Sequence, residues 1–544
     1  MRPLDRVLER LMRLPPAMTR DVTVQRDLPV RLRDGVTLLA DRYAPAHDQR
    51  APLMLLRTPY GRRGPIAWAL AWGRPTAERG LQTVIVSTRG TGGSGGVLNP
   101  LTERDDGLDT IAWLRAQPWY PGRFALAGPS YLGLAQWAVA DAAPGELVAL
   151  VATVTASQFG SYNHPGGVLA LEGPLTWTGL MAAAGSPRGP VGPRTMLVGR
   201  RLRAALRTVP IGELDRLVTG HSVDWWRAWT TNVNPATDAY WRKRDHRPQV
   251  AATTARVALI GGWDDVFLPW QLDDHALLVA GGNTPWLVVG PWDHSQGGGQ
   301  VGMALTFLRA AFDGRAPEGG PVRLYVRGAG AWRDYPTWPV PGAEPTPLYL
   351  RPSGELGPAP EPAASRTPTS FTYDPSDPTP NVGGPTFTGS LRRRQDRLIA
   401  RADVITFTGR RLDEPLEVIG PVSATVYLRS TVAHAQLFVR LCDVDERDRT
   451  WAVCDGIERV DERRWPAVDG VRRVRVELWP TARRFAPGHR IRVLIAGGAH
   501  PRFARAYGTT DPVASATRGV RARHEVLHDV DRPSCVVLPV MRLT

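Results

Sequence analysis

The chain of 544 residues holds 67 basic against 52 acidic side chains, a net charge of +15, and 43% hydrophobic residues. Its length implies about two to four domains, and its composition is that of an ordinary globular protein with no run of about 18 apolar residues to span a membrane. The charge does not mark a nucleic-acid binder: Lys243 is the only lysine, so 66 of the 67 cations are arginines, and they are interleaved with acids instead of clustering on one run or face.

At the N-terminus Leu4, Val7, Leu8, Leu11 and Met12 recur at helical spacing, which predicts a short amphipathic helix packed on the body of the protein. The apolar core and small-residue cleavage site of a signal peptide are missing there. From about Val22 to Val154 the pattern turns strand-rich and then alternates strand with helix. Met54–Arg57 and Thr83–Val86 read as buried parallel strands. Leu108, Ile111, Ala112 and Arg115 follow helical spacing up to Pro118. Phe124–Ala127 is a further strand, followed by a helix to about Asp141 and the strand Leu147–Val154. Such alternation implies an α/β layer architecture.

Residues 155–254, rich in Gly, Pro and Trp, break the rhythm with helix-like pieces at Thr195–Leu206 and Thr237–Arg244. This reads as a mainly helical cap inserted over the ligand-binding end of the sheet. Strands resume at Val257–Ile260, Trp286–Val289 and Val322–Val326. Pro336, Pro339, Pro341, Pro345 and Pro347 then predict a linker running over the surface, because proline cannot donate to a ladder. Beyond it apolar residues alternate, as in Leu437, Val439, Leu441 and Ile491, Val493, Ile495, with Pro487-Gly488 as a turn signal. This is the pattern of an antiparallel, jelly-roll-like sandwich. The expected boundaries are 20–154 with 255–345 for the α/β domain, 155–254 for the cap and 346–544 for the β domain.

Cys442, Cys454 and Cys535 form no C-x-x-C pair and no metal-ligand spacing. Free thiols, a reducing cytoplasmic location and the absence of any metal or other cofactor follow as expectations.

The residues that carry chemistry begin at Gly128-Pro-Ser130-Tyr-Leu-Gly133. A strand, a small-residue turn holding one serine, and a helix make the sequence form of a nucleophile elbow, although the second glycine falls three residues after the serine. A nucleophilic serine needs a base and an acid that orients it, in chain order Ser, Asp or Glu, His, at the ends of later strands. Gly261-Gly-Trp-Asp264-Asp265 follows one such strand and Gly290-Pro-Trp-Asp-His294 the next. Asp274 and His275 also lie close together, but Leu272, Ala276 and Leu277 around them predict an amphipathic helix with that pair on its surface.

Taken together, Arg57-Thr-Pro-Tyr60, Thr88-Arg-Gly90, the serine turn with Gln136-Trp137, Gly262-Trp-Asp-Asp265 and Gly290-Pro-Trp-Asp-His294 resemble the CocE/NonD family of serine hydrolases. That group includes cocaine esterase and is related to X-Pro dipeptidyl-peptidases. The resemblance runs from about residue 20 to the C-terminus. It implies an α/β-hydrolase domain with a helical cap and a C-terminal jelly-roll-like (galactose-binding-like) domain. It implies Ser130 as nucleophile, His294 as base and Asp265 rather than Asp264 as the orienting acid. Its oxyanion hole carries over to the Tyr60 hydroxyl and the Tyr131 backbone N–H. Trp177, Tyr162 and Phe267 are candidates for an aromatic substrate pocket. The expected activity is cofactor-free hydrolysis of a small-molecule ester. X-Pro dipeptidyl-peptidase or acyl-amide and amino-acid ester hydrolysis is the alternative, and a non-catalytic binding module the alternative of another class. Nucleic acid and membrane are not expected partners, and the large β domain leaves surface for a homodimer.

Overall fold

The computed structural model describes residues 9–10, 12–63, 69–185, 191–295, 299–360, 367–387 and 394–542. Ten strands make one sheet: β1 (Val22–Arg31), β2 (Thr37–Pro45), β3 (Leu53–Thr58), β4 (Gln82–Ser87), β5 (Phe124–Pro129), β6 (Leu147–Thr153), β7 (Arg256–Asp264), β8 (Trp286–Asp293), β9 (Val322–Val326) and β10 (Ala331–Tyr335). Their spatial order is β1-β2-β4-β3-β5-β6-β7-β8-β9-β10. Strands β3 through β9 run parallel. Antiparallel pairings of β1 with β2, β2 with β4 and β9 with β10 complete the two edges.

The apolar runs read from the sequence fall in β3 and β4, which are buried at every position because a parallel sheet is covered on both faces. Alternate side chains serve different cores. Leu53, Leu55, Leu126 and Leu259 pack on one face, and Met54, Leu56, Ala127 and Ile260 on the other.

Between β6 and β7 the chain leaves the sheet for the helices Glu172–Gly185, Val191–Ala205, Leu214–Thr219 and Asp224–Thr231. The helix expected at Thr195–Leu206 lies within the second of these, apart from its last residue, and the one expected at Thr237–Arg244 shortens to Ala239–Arg242. Leu175, Leu214, Val218 and Trp226 of this insertion pack with Tyr131 and Phe267 from the sheet's loops and with Tyr507 and Ala516 from the C-terminal part. The insertion is thereby gripped from below and from one side.

Among the described residues, the strands of the C-terminal part pair antiparallel. One sheet holds β11 (Ala343–Leu350), β12 (Leu356–Gly357), β13 (Thr369–Tyr373), β15 (Leu416–Ser430), β18 (Arg472–Phe485), β20 (Ala522–Leu527) and β21 (Cys535–Met541). The other holds β14 (Val404–Thr408), β16 (Ala435–Val444), β17 (Thr450–Val460) and β19 (Arg490–Ala496). The alternating apolar residues Leu437, Val439, Leu441, Val474, Val476, Val493 and Ile495 are buried. Gly488 turns the chain from β18 to β19 at φ +78.

Two expectations are corrected. The proline-rich stretch is not wholly a linker, since Ala343–Leu350 pairs along its length with β21 and sets Pro345 opposite Pro539. The prolines are tolerated because β12 reaches only Tyr349 and Leu350, leaving that side of β11 an edge where no donor is needed. Asp274 and His275 are not on a helix surface: both are buried. The Asp274 carboxylate accepts from Ser157 N at 2.8 Å and Ser157 Oγ at 2.5 Å.

Of the expected N-terminal helix, Leu4, Val7, Leu8 and Leu11 lie outside the described residues, while Met12 packs on the sheet's second core. All three cysteines are free, and burial pushes the Cys442 thiol up to about 12. Among the described residues, no helix is long and apolar enough to cross a membrane.

Candidate active site

Ser130 is the first residue after β5 and stands at φ 56, ψ −126, a conformation that side chains rarely adopt. The turn is built around that strain. A Cβ on Gly128 would come within 2.6 Å of Leu132 Cβ, and one on Gly133 within 2.3 Å of Thr155 Cγ2. The second glycine therefore falls three residues after the serine because the new helix, Tyr131–Trp137, passes Thr155 at that point. Thr155 Oγ1 in turn donates to the Ser130 carbonyl at 2.6 Å.

Asp265 and His294 occupy the equivalent positions on β7 and β8, each the first residue after its strand. His294 Nε2 lies 3.0 Å from Ser130 Oγ, and its Nδ1 lies 2.7 Å from Asp265 Oδ1. A proton on Nδ1 donated to the carboxylate leaves Nε2 to accept from the serine hydroxyl. Asp265 is fully buried. Its Oδ2 accepts from Phe267 N at 3.1 Å, and its carbonyl accepts from Trp479 Nε1 at 3.3 Å. The neighbouring Asp264 points elsewhere, to Arg327 Nη1 at 2.9 Å. The glycines before each tryptophan also have a physical cause, since a Cβ on Gly262 or Gly290 would strike Trp292 at 2.2 or 2.1 Å.

Tyr60 follows β3 by two residues. Burial raises the Tyr60 pKa, opposed by hydrogen bonds with Trp177 and Ser130. Trp177 Nε1 donates to the Tyr60 hydroxyl at 3.2 Å. The Tyr131 N–H opens a helix, so it has no acceptor within that helix and faces the serine turn with the helix's positive end. The Tyr131 side chain is turned away and fixed. Its hydroxyl donates to Glu103 Oε1 at 2.7 Å and accepts from Leu101 N at 2.8 Å. Glu103 is paired with Arg57 at 2.6 Å, and burial raises its pKa against that pairing. Among the described residues, no three or more His, Cys, Asp or Glu side chains are grouped to hold a metal ion.

Residues 34–296 match the X-Pro dipeptidyl-peptidase (S15 family) profile, and residues 317–537 match the X-Pro dipeptidyl-peptidase C-terminal non-catalytic domain. Cocaine esterase of Rhodococcus sp. (strain MB1 Bresler) is 29% identical over 572 residues, covering 96% of this chain and 99% of that protein. The chain belongs to the CocE/NonD family of hydrolases. Solved structures share its fold. An aminopeptidase from a marine sediment Thaumarchaeota archaeon superposes with a TM-score of 0.82 at 23% identity, covering 97% of this chain and 98% of that one. A CocE/NonD family hydrolase from Staphylococcus aureus gives 0.70 at 17% identity, covering 96% and 94%.

In this CocE/NonD hydrolase the cavity at Ser130 is walled by Tyr162, Trp177 and Phe267, and also by Phe159, Trp229 and Phe387, which sequence reading did not single out. Phe267 lies 5.4 Å, centroid to centroid, from the His294 ring, and Phe387 lies 4.8 Å from it. Phe387 comes from the C-terminal part, on a segment with no periodicity to betray it. That segment is clamped by Arg440, which donates to Val382 O at 2.7 Å and pairs with Asp455 at 2.8 Å. Asp455 also holds Arg502 at 2.6 Å. A second hollow shares Tyr162, Gly173 and Phe387 with the first and adds Glu172, Trp479 and Arg502.

Proposed function

We propose that this hydrolase cleaves carboxylic esters of small molecules through an acyl-enzyme on Ser130. The observation that carries the reading is the continuous line from Asp265 Oδ1 through the His294 ring to Ser130 Oγ, at 2.7 and 3.0 Å, ending on a serine held in a strained turn. Ser130 Oγ attacks the ester carbonyl carbon as its proton passes to His294 Nε2. Buried Asp265 stabilises the imidazolium so formed. The carbonyl oxygen becomes an oxyanion received by the Tyr60 hydroxyl and the Tyr131 N–H. Collapse breaks the C–O bond, and the alcohol leaves with the proton from His294. Water, deprotonated by the same nitrogen, then attacks the acyl carbon and releases the acid.

The walls favour an uncharged apolar group beside the scissile bond. Leu101, Phe159, Trp177, Trp229, Phe267 and Phe387 offer packing area and no charge. A second reading, cleavage of X-Pro or other aminoacyl substrates, draws on the S15 profile and on Glu172 in the adjoining hollow, where a carboxylate could meet an amino group. A screen of p-nitrophenyl esters, aryl esters and aminoacyl or X-Pro anilides separates the two. Esters are expected to give the higher kcat/KM, and activity confined to anilides would overturn the assignment.

A further inference from the structure

Trp177 reads at first as pocket lining. Its indole nitrogen, however, lies 3.2 Å from the Tyr60 hydroxyl. An indole N–H can only donate, so the phenol oxygen must be the acceptor across this contact. Tyr60 has one proton to give, and Trp177 cannot take it. In the proposed mechanism that proton is offered to the oxyanion formed at Ser130. We infer that Trp177 is a positioning residue for the oxyanion hole: by donating to Tyr60 it aims the phenol proton at the reacting oxygen and strengthens it as a donor.

Three further observations fit this role. The Trp177 ring is stacked on Tyr131, with centroids 5.7 Å apart and planes 7° from parallel. Tyr131 is itself immobilised through its hydroxyl by Leu101 and Glu103, so the indole lies on a fixed plate. Trp229 and Trp225 pack against its other sides at 5.8 and 6.2 Å. The same plate carries the second proposed donor, the Tyr131 N–H, so one stack fixes both. Donation into the phenol oxygen polarises its O–H, since hydrogen bonds in series reinforce one another at low local dielectric.

This inference rests on the proposed oxyanion role of Tyr60, and its test separates the two claims. Trp177→Phe, Tyr60→Phe and the double variant of the full-length enzyme are compared on p-nitrophenyl acetate, whose acetyl group is too small to fill an aromatic acyl pocket. The variants are also compared by inhibition with methylboronic acid, whose tetrahedral adduct occupies the same hole without a ring to pack on the wall. Tyr60→Phe is expected to lower kcat by about 10²–10³. Trp177→Phe is expected to lower kcat by about threefold to tenfold with KM little changed, the range of one neutral hydrogen bond. In the Tyr60→Phe background the same replacement is expected to change neither kcat nor inhibition. If Trp177→Phe costs as much in the Tyr60→Phe background as in the wild type, or costs nothing in either, the inference fails while the oxyanion reading stands. If Tyr60→Phe leaves kcat intact, the oxyanion reading fails and takes the inference with it. Should Trp177→Phe not fold, Trp177→Met enters the same cycle with the same criteria.

Discussion

The floor and the walls of the candidate site are built by different means. Ser130, Asp265 and His294 each follow directly on a strand of one parallel sheet, so their spacing is set by backbone ladders that a side-chain change elsewhere does not move. The walls come from a helical insertion and, in Phe387, from a segment far along the chain. Those are held by ring packing and by a buried Arg440–Asp455–Arg502 group. Chemistry and selectivity can therefore fail separately here: floor variants should lose turnover with fold intact, and wall variants should lose fit or stability.

The sharpest contrast lies between two adjacent residues. Asp265→Asn is expected to cost about 10⁴ in kcat by upsetting the histidine tautomer. Asp264→Asn, which touches Arg327 and not His294, should leave kcat within about threefold, the scale of one peripheral polar contact. Equal losses in the two, measured on one ester, would break the comparison.

On the wall side, Asp455→Ala leaves two buried arginines without their carboxylate and is expected to destabilise the protein by about 3–5 kcal/mol in urea unfolding. A loss near zero would mean that ring packing alone holds the Phe387 segment.

His164, in the insertion, gives the same comparison a pH axis. Burial pushes its pKa down to about 4 from 6.5, so the folded chain refuses a proton that the unfolded chain accepts below about pH 6.5. Wild type should therefore lose stability relative to His164→Phe as pH falls from 6.5 to 4, by about 3 kcal/mol at the lower end. A pH-independent difference would contradict that burial.

The mildest effect is reserved for selectivity. Phe387→Ala should raise KM for p-nitrophenyl benzoate about tenfold while KM for p-nitrophenyl acetate changes little. An equal effect on both substrates would move Phe387 from wall to floor.

What the sequence made legible follows the same division. The strands that carry Ser130, Asp265 and His294 are short apolar runs ending in Gly-containing breaks, a local signal that a buried parallel sheet leaves in composition. The family resemblance chose Asp265 over Asp264, a choice that local sequence leaves open because either acid can follow that strand. Phe159, Trp229 and Phe387 carry no such mark, because their place depends on how three parts of the chain meet. The burial of Asp274 and His275 was misjudged for a related reason: the helix spacing around them is amphipathic, but Ser157, brought from the insertion, satisfies the carboxylate inside. Proline in β11 misled because the rule against it holds for paired strands, and this edge is open where the prolines sit.

The most direct measurement is the mass of the protein after exposure to a fluorophosphonate, followed by peptide mapping of the adduct. One phosphonyl group per chain, located on Ser130 and lost in Ser130→Ala, is the predicted result. An unmodified wild type, or an adduct that persists in Ser130→Ala, would contradict the assignment of Ser130 as the nucleophile.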